Sequence, residues 1–130
     1  MIKAEELRIG NFLLNTGNGQ EFRVSFDVLE LIHRKRGWFY RIEPIPLTEE
    51  WFKKLGFNWD EDDGWNISYL SIQEGDYRLC VMDDEAEVEF NSYKPSYSYQ
   101  HVFVGHVEHV HQLQNLYFAL TGEELELSKP

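Results

Sequence analysis

The stretch Val110–Leu125, VHQLQNLYFALTGEEL, decides the fold of this 130-residue chain. Together with Val107 just ahead of it, Val110, Leu113, Tyr117 and Leu120 recur at three- and four-residue steps, the spacing of one helical face. Leu116 and Phe118 widen that face until only Glu108, Gln112, Asn115 and Ala119 make a clear polar strip. A helix apolar over more than half its circumference is expected to pack on a sheet as the main buttress of the core. Gly122 is its stop, and an acidic end follows. Gln114 falls inside the apolar arc, where an amide left unpaired costs about 1–3 kcal/mol. It is therefore expected to tie the helix to a sheet edge or loop.

Upstream, the first forty-odd residues read as short strands. Leu7–Leu14 is expected as the first, Thr16-Gly17-Asn18-Gly19 supplies residues that accept positive φ, and Glu21–Phe26 returns to close a hairpin. Val28–His33 and Trp38–Ile42 flank Arg34-Lys35-Arg36-Gly37, which reads as a second hairpin with a cationic tip. Such a run of strands over residues 1–46 predicts an SH3-like small β-barrel or a strongly bent sheet.

Pro44 and Pro46 end the strands, and a short linking helix follows within residues 47–57. Thr48 has the chemistry of an N-cap, Glu49 and Glu50 suit the positive end of the helix dipole, and Lys53 and Lys54 suit the negative end. Gly56 occupies the C′ position, Leu47 and Phe52 have staple spacing, and Phe57 is placed to meet Phe52 in a Schellman stop. Beyond it, Trp59-Asp60-Glu61-Asp62-Asp63-Gly64-Trp65 reads as an acidic turn between tryptophans. Strands are expected at Ile67–Gln73, Tyr77–Met82, Ala86–Phe90 and Tyr99–Val104, with Glu74-Gly75-Asp76 and Asp83-Asp84-Glu85 as turns and Asn91–Ser98 as a loop. With no internal repeat or linker, residues 1–130 form a single α+β domain: a β-rich subregion (1–46), the short helix (47–57), then antiparallel strands plus the C-terminal helix packed on the sheet (58–130).

The composition agrees with one well-filled core. Aromatic residues make up 15% of the chain, and such side chains dominate burial in a small domain. Cys80 is the only cysteine, which excludes an internal disulfide framework. The opening MIKAEELRIG lacks the apolar run of a signal peptide and no later stretch is long enough to span a bilayer, so a cytoplasmic protein with no membrane partner is expected. The net charge is −11, and it is unevenly distributed. Residues 1–56 carry 9 Lys and Arg against 8 Asp and Glu, while residues 57–130 carry 3 against 15. Phosphate backbones are repelled by such a surface, so nucleic acid is disfavoured except through a local patch at Arg34–Arg36.

Few residues suggest chemistry. His106, His109 and His111 could share a metal if the helix began by His106, since catalytic zinc sites use three protein ligands, yet their spacing matches no zinc motif. A polar helix start with His111 bordering the core beside Phe118 explains the cluster without metal. The acidic run Asp60–Asp63 fails the calcium-loop pattern, because the twelfth position from Asp60 is Ser71. Cys80 lies within a predicted strand, no G-x-S-x-G elbow occurs, and the glycines of Thr16–Gly19 lack the Lys-Ser/Thr of a phosphate loop. The sequence thus offers no catalytic set, no cofactor and no metal site beyond those three histidines. As a binding surface, Arg34, Lys35 and Arg36 with Trp38 combine cations and rings suited to single-stranded nucleic acid, and Asp60, Asp62 and Asp63 form an acidic counterpart.

Three blocks carry a resemblance: Glu6-Leu7-Arg8-Ile9-Gly10-Asn11, then Pro44-Ile45-Pro46-Leu47-Thr48-Glu49-Glu50-Trp51 with Leu55-Gly56-Phe57, and finally Val110–Leu125. Together they resemble a family of uncharacterised small proteins of gut Bacteroidetes and their phages. The resemblance implies a shared fold unit and a phage or mobile-element context, and it implies no catalytic activity. The expected function is a non-enzymatic binding or accessory domain that contacts an unknown protein partner in a bacterial or phage-infected cell. One alternative is an acidic phage-encoded inhibitor imitating nucleic acid. Another is a metal-dependent enzyme using the histidine cluster.

Overall fold

The computed structural model describes residues 6–34, 41–62, 65–72, 77–91 and 99–127. The loop Thr16–Gly19 closes a hairpin between β1 (Phe12–Asn15) and β2 (Gln20–Arg23), pairing Asn15 with Gln20. Gly19 takes φ +72°, and the Asn15 and Asn18 side chains accept from the N–H groups of Gly17 and Gln20 at 2.8 and 2.9 Å. Both strands are shorter than the expected Leu7–Leu14 and Glu21–Phe26. The chain turns at Gly10, with φ +97°, so β1 begins only at Phe12.

Val28–His33, expected as a strand, belongs instead to α1 (Phe26–Arg34). Val28, Leu29 and Ile32 fall on one helical face and pack with Leu7, Leu13, Val24 and Ile42. Ser25 caps the helix, its Oγ accepting from Val28 N–H at 3.3 Å, and Glu30 pairs with Arg34 one turn on at 2.9 Å. The second hairpin is therefore not formed. Arg34 ends a helix, and Lys35, Arg36 and Trp38 lie outside the described residues. The next strand, β3 (Ile42–Pro44), pairs antiparallel with β1, giving the order β2-β1-β3. Of the barrel and the bent sheet, the described strands form an open three-stranded sheet.

β1 faces two ways, as its alternation demands. Leu13, fully buried, packs toward α1, while Phe12 and Leu14 point to the larger core. That core includes α2 (Glu49–Lys54), whose signals agree with its structure. Thr48 Oγ1 accepts from Trp51 N–H at 3.3 Å, Gly56 adopts φ +85°, and Phe57 N–H reaches Phe52 C=O at 2.9 Å. The Phe52 and Phe57 rings meet at 5.5 Å, completing the Schellman stop. Thr48→Ala is expected to lower stability by about 1 kcal/mol, the usual cost of a lost N-cap, read from chemical denaturation.

The second sheet is a meander in the order β4-β5-β6-β7-β8, with β4 (Asn58–Asp62), β5 (Trp65–Ile72), β6 (Tyr77–Met82), β7 (Glu85–Asn91) and β8 (Tyr99–His106). Asp60, Glu61 and Asp62 were expected in a turn but lie in β4, opposite Ile67, Asn66 and Trp65. Asp63 lies outside the described residues. Leu79, Val81 and Ala86 face the shared core, where α3 (Val110–Thr121) buries Val110 and Leu113 completely. Its start is docked by backbone bonds, Val110 N–H to Ile45 C=O at 2.9 Å and Leu47 N–H to Glu108 C=O at 3.0 Å. Gly122, at φ +75°, stops it. Its apolar face is narrower than expected: Tyr117 is half-buried, and Phe118 and Leu120 are exposed. Among the described residues no helix is long and apolar enough to cross a membrane.

Candidate functional site

The antiparallel register of β1 and β2 sets Phe12 opposite Arg23 and Leu14 opposite Glu21, on the sheet face turned away from α1. Helix α2 meets that face through Trp51, whose ring lies 5.4 Å from that of Phe12 at 50°. Between them opens a cleft of about 510 Å³, lined by Phe12, Glu21, Phe22, Arg23, Trp51, Lys54 and Leu127. That volume falls within the range of small-molecule pockets. Its cations are arranged over its rings: the Arg23 guanidinium carbon sits 4.6 Å from the Phe12 ring centre, and Lys54 Nζ sits 4.7 Å from that of Trp51. The result is a row running cation, ring, ring, cation. Each stacked cation contributes about 0.5–1 kcal/mol at an exposed site, enough to hold a long side chain along the wall. Carboxylates complete the rim, with Glu126 at 3.4 Å from Arg23 and Glu50 and Glu21 at 3.4 and 4.0 Å from Lys54.

A clamp of amides fixes the cleft's floor. Gln114 is 1% exposed; its Oε1 accepts from Phe12 N–H at 2.8 Å and from Asn11 Nδ2 at 3.4 Å, while Nε2 donates to Gly10 C=O at 3.1 Å. The structure therefore places it in the tying role expected from its position in the helix. Next to it, Asn115 donates to Glu6 C=O at 2.8 Å and accepts from Asn11 Nδ2 and Arg8 Nη1 at 2.9 and 3.0 Å. Arg8 also pairs with Glu124 and covers the Phe118 ring at 4.2 Å. The first sequence block thus closes onto the third, and the second docks the start of α3. Their residues mostly satisfy one another.

The histidines do not converge. His106 ends β8, its Nδ1 3.7 Å from Asp84 Oδ1. His109 precedes α3, which begins at Val110, so His106 and His109 share no helical face. His109 stacks on His111 with ring centres 6.0 Å apart, and no group of three metal-capable side chains occurs among the described residues. His111 itself is 2% exposed with neither ring nitrogen hydrogen-bonded. Burial, and then the neighbouring His109, lowers its pKa from 6.5 to about 4. Glu6 Oε2 lies 3.9 Å from Nε2, too far for a hydrogen bond, and its carboxylate is half-exposed, so it does not offset that burial.

Of the surface residues singled out in the sequence, Arg34 is engaged with Glu30, and Asp60 and Asp62 form part of the sheet edge. By the antiparallel registers, the end of β4 and the end of β6 lie at one end of the meander, so Asp62 and Asp83 share that end. Glu124 and Glu126 instead face arginines of the N-terminal half. The acidic runs are thus divided between two roles. Sequence patterning does not mark the cleft residues. Phe12 and Arg23 could have been joined by counting back from the Thr16–Gly19 turn, but nothing local brings Trp51 and Lys54 to them. Comparison of the chain with protein-family models, curated proteins and solved structures finds no match.

Proposed function

We propose that the protein is a non-enzymatic binding domain acting through protein contacts in a bacterial or phage-infected cell, and that the cleft between the β1–β2 face and α2 is its contact surface. One observation carries this reading: two cations are laid over two packed rings at the mouth of a cleft large enough for several side chains. Phe12 and Trp51 are buried in the core, so what their rings present is Arg23 and Lys54, held in place over them, and Arg is a usual anchor of protein interfaces. The clamp serves this surface, because Gln114 holds the Phe12 backbone and hence the ring that floors the cleft.

The test is capture from native lysate by the tagged chain and by Arg23→Glu/Lys54→Glu. A partner retained by the wild type and by Arg34→Glu should drop at least tenfold with the double variant, whose folding is checked by its melting curve. Equal capture by all three chains, or no partner at all, argues against the cleft.

A further inference from the structure

Beyond the Gly122 stop the chain reads Glu123-Glu124-Leu125-Glu126-Leu127, in which positions 124–127 alternate acid and aliphatic. Each finds a matching environment. Glu124 pairs with Arg8, Leu125 is buried at 5% exposure in the core that holds Phe12 and Trp51, Glu126 pairs with Arg23, and Leu127 lines the cleft. From this we infer that the cleft takes a segment of alternating carboxylate and aliphatic residues from a protein partner, and that Glu126-Leu127 stands along its rim in cis with the Glu126 carboxylate on Arg23. This rests on the reading of the cleft as the contact surface.

The hold on the tail is graded along its length. Leu125 is a core anchor, whereas the Glu126–Arg23 pair is open to solvent on both sides (49% and 65% exposed) and Leu127 is 41% exposed. Exposed ion pairs contribute about 0–1 kcal/mol, so the outer two residues can lift away while Leu125 stays seated. A partner's segment then finds the arrangement they leave: the Arg23 guanidinium for a carboxylate, and the cleft beside it for an aliphatic side chain. Glu21 and Glu50 on the rim already pair with Lys54, so the Arg23 guanidinium is the cation that receives the ligand's carboxylate. The N-terminal half is near neutral, and distant carboxylates are screened beyond about 8 Å at physiological salt. Because the tail is tethered, its effective concentration is on the order of millimolar, and it sets a threshold that a partner must exceed.

The probe is a fluorescently labelled acetyl-Glu-Leu-Glu-Leu-amide, followed by anisotropy with full-length chains. Glu126→Gln/Leu127→Ala is expected to bind it at least tenfold more tightly than the wild type, Arg23→Glu/Lys54→Glu to lose binding, and a Lys-Leu-Lys-Leu peptide to bind none of them. Equal affinity for the wild type and the tail variant, or equal binding of the lysine peptide, overturns the inference. If the peptide binds no chain while the charge-reversed variant still loses its captured partner, the ligand chemistry is wrong and the cleft stands. If capture is also unchanged, both fall.

Discussion

Gln114→Leu is expected to lower unfolding free energy by about 3 kcal/mol, because it strands the buried N–H of Phe12 and C=O of Gly10 at about 1–3 kcal/mol each. For a domain whose whole stability is about 5–15 kcal/mol, the melting midpoint should fall by about 10 °C. Leucine fits the volume, so lost packing contributes little and the deficit isolates the hydrogen bonds. Gln114→Glu should be destabilised as well, since its carboxylate can accept from Phe12 but sets a second acceptor against Gly10 C=O. Parallel denaturation curves for wild type and Gln114→Leu would show that the amide is not the tie between α3 and the cleft floor.

The second large effect depends on pH. His111 is neutral in the fold with its pKa lowered to about 4, whereas in the unfolded chain it titrates near 6.5. Between those values the unfolded state binds the extra proton, so stability is fully present above pH 6.5 and declines as pH falls toward 4. Two and a half pH units correspond to about 3 kcal/mol. Acidic groups also titrate at the low end, so the informative quantity is the difference between wild type and His111→Leu. Removing an imidazole that makes no hydrogen bond should leave stability at pH 7 nearly unchanged. The variant should then gain about 3 kcal/mol on the wild type by pH 4. A constant difference across that range means His111 is not buried in its neutral form.

Where the governing forces are local, the sequence was legible. Thr48, Gly56 and the Phe52–Phe57 spacing act within one short helix, and the Thr16–Gly19 turn acts within one hairpin, so both were read correctly. Val28–His33 is ambiguous, because VLELIH is apolar at positions 28, 29, 31 and 32, a pattern that suits either period. The deciding signals were Ser25 at the cap and Glu30 four residues before Arg34. The composition of Asp60–Asp62 suits a turn, whereas pairing with β5 draws it into the sheet. For Gln114, burial was legible and its partner was not. A helical wheel shows that an amide faces the core, but Gly10 and Phe12 lie more than a hundred residues away. The cleft suffers the same difficulty, since α2 reaches the β1–β2 face only through the shared core.

Site-directed crosslinking tests the contact surface most directly. A photo-crosslinking residue is placed either at Glu21, on the cleft rim, or at Phe26, which is 66% exposed on α1 across the three-stranded sheet. Irradiation in native lysate should give a discrete adduct from position 21 and none from position 26. An adduct from position 26 alone, or equal yields from both, would contradict a partner seated in the cleft.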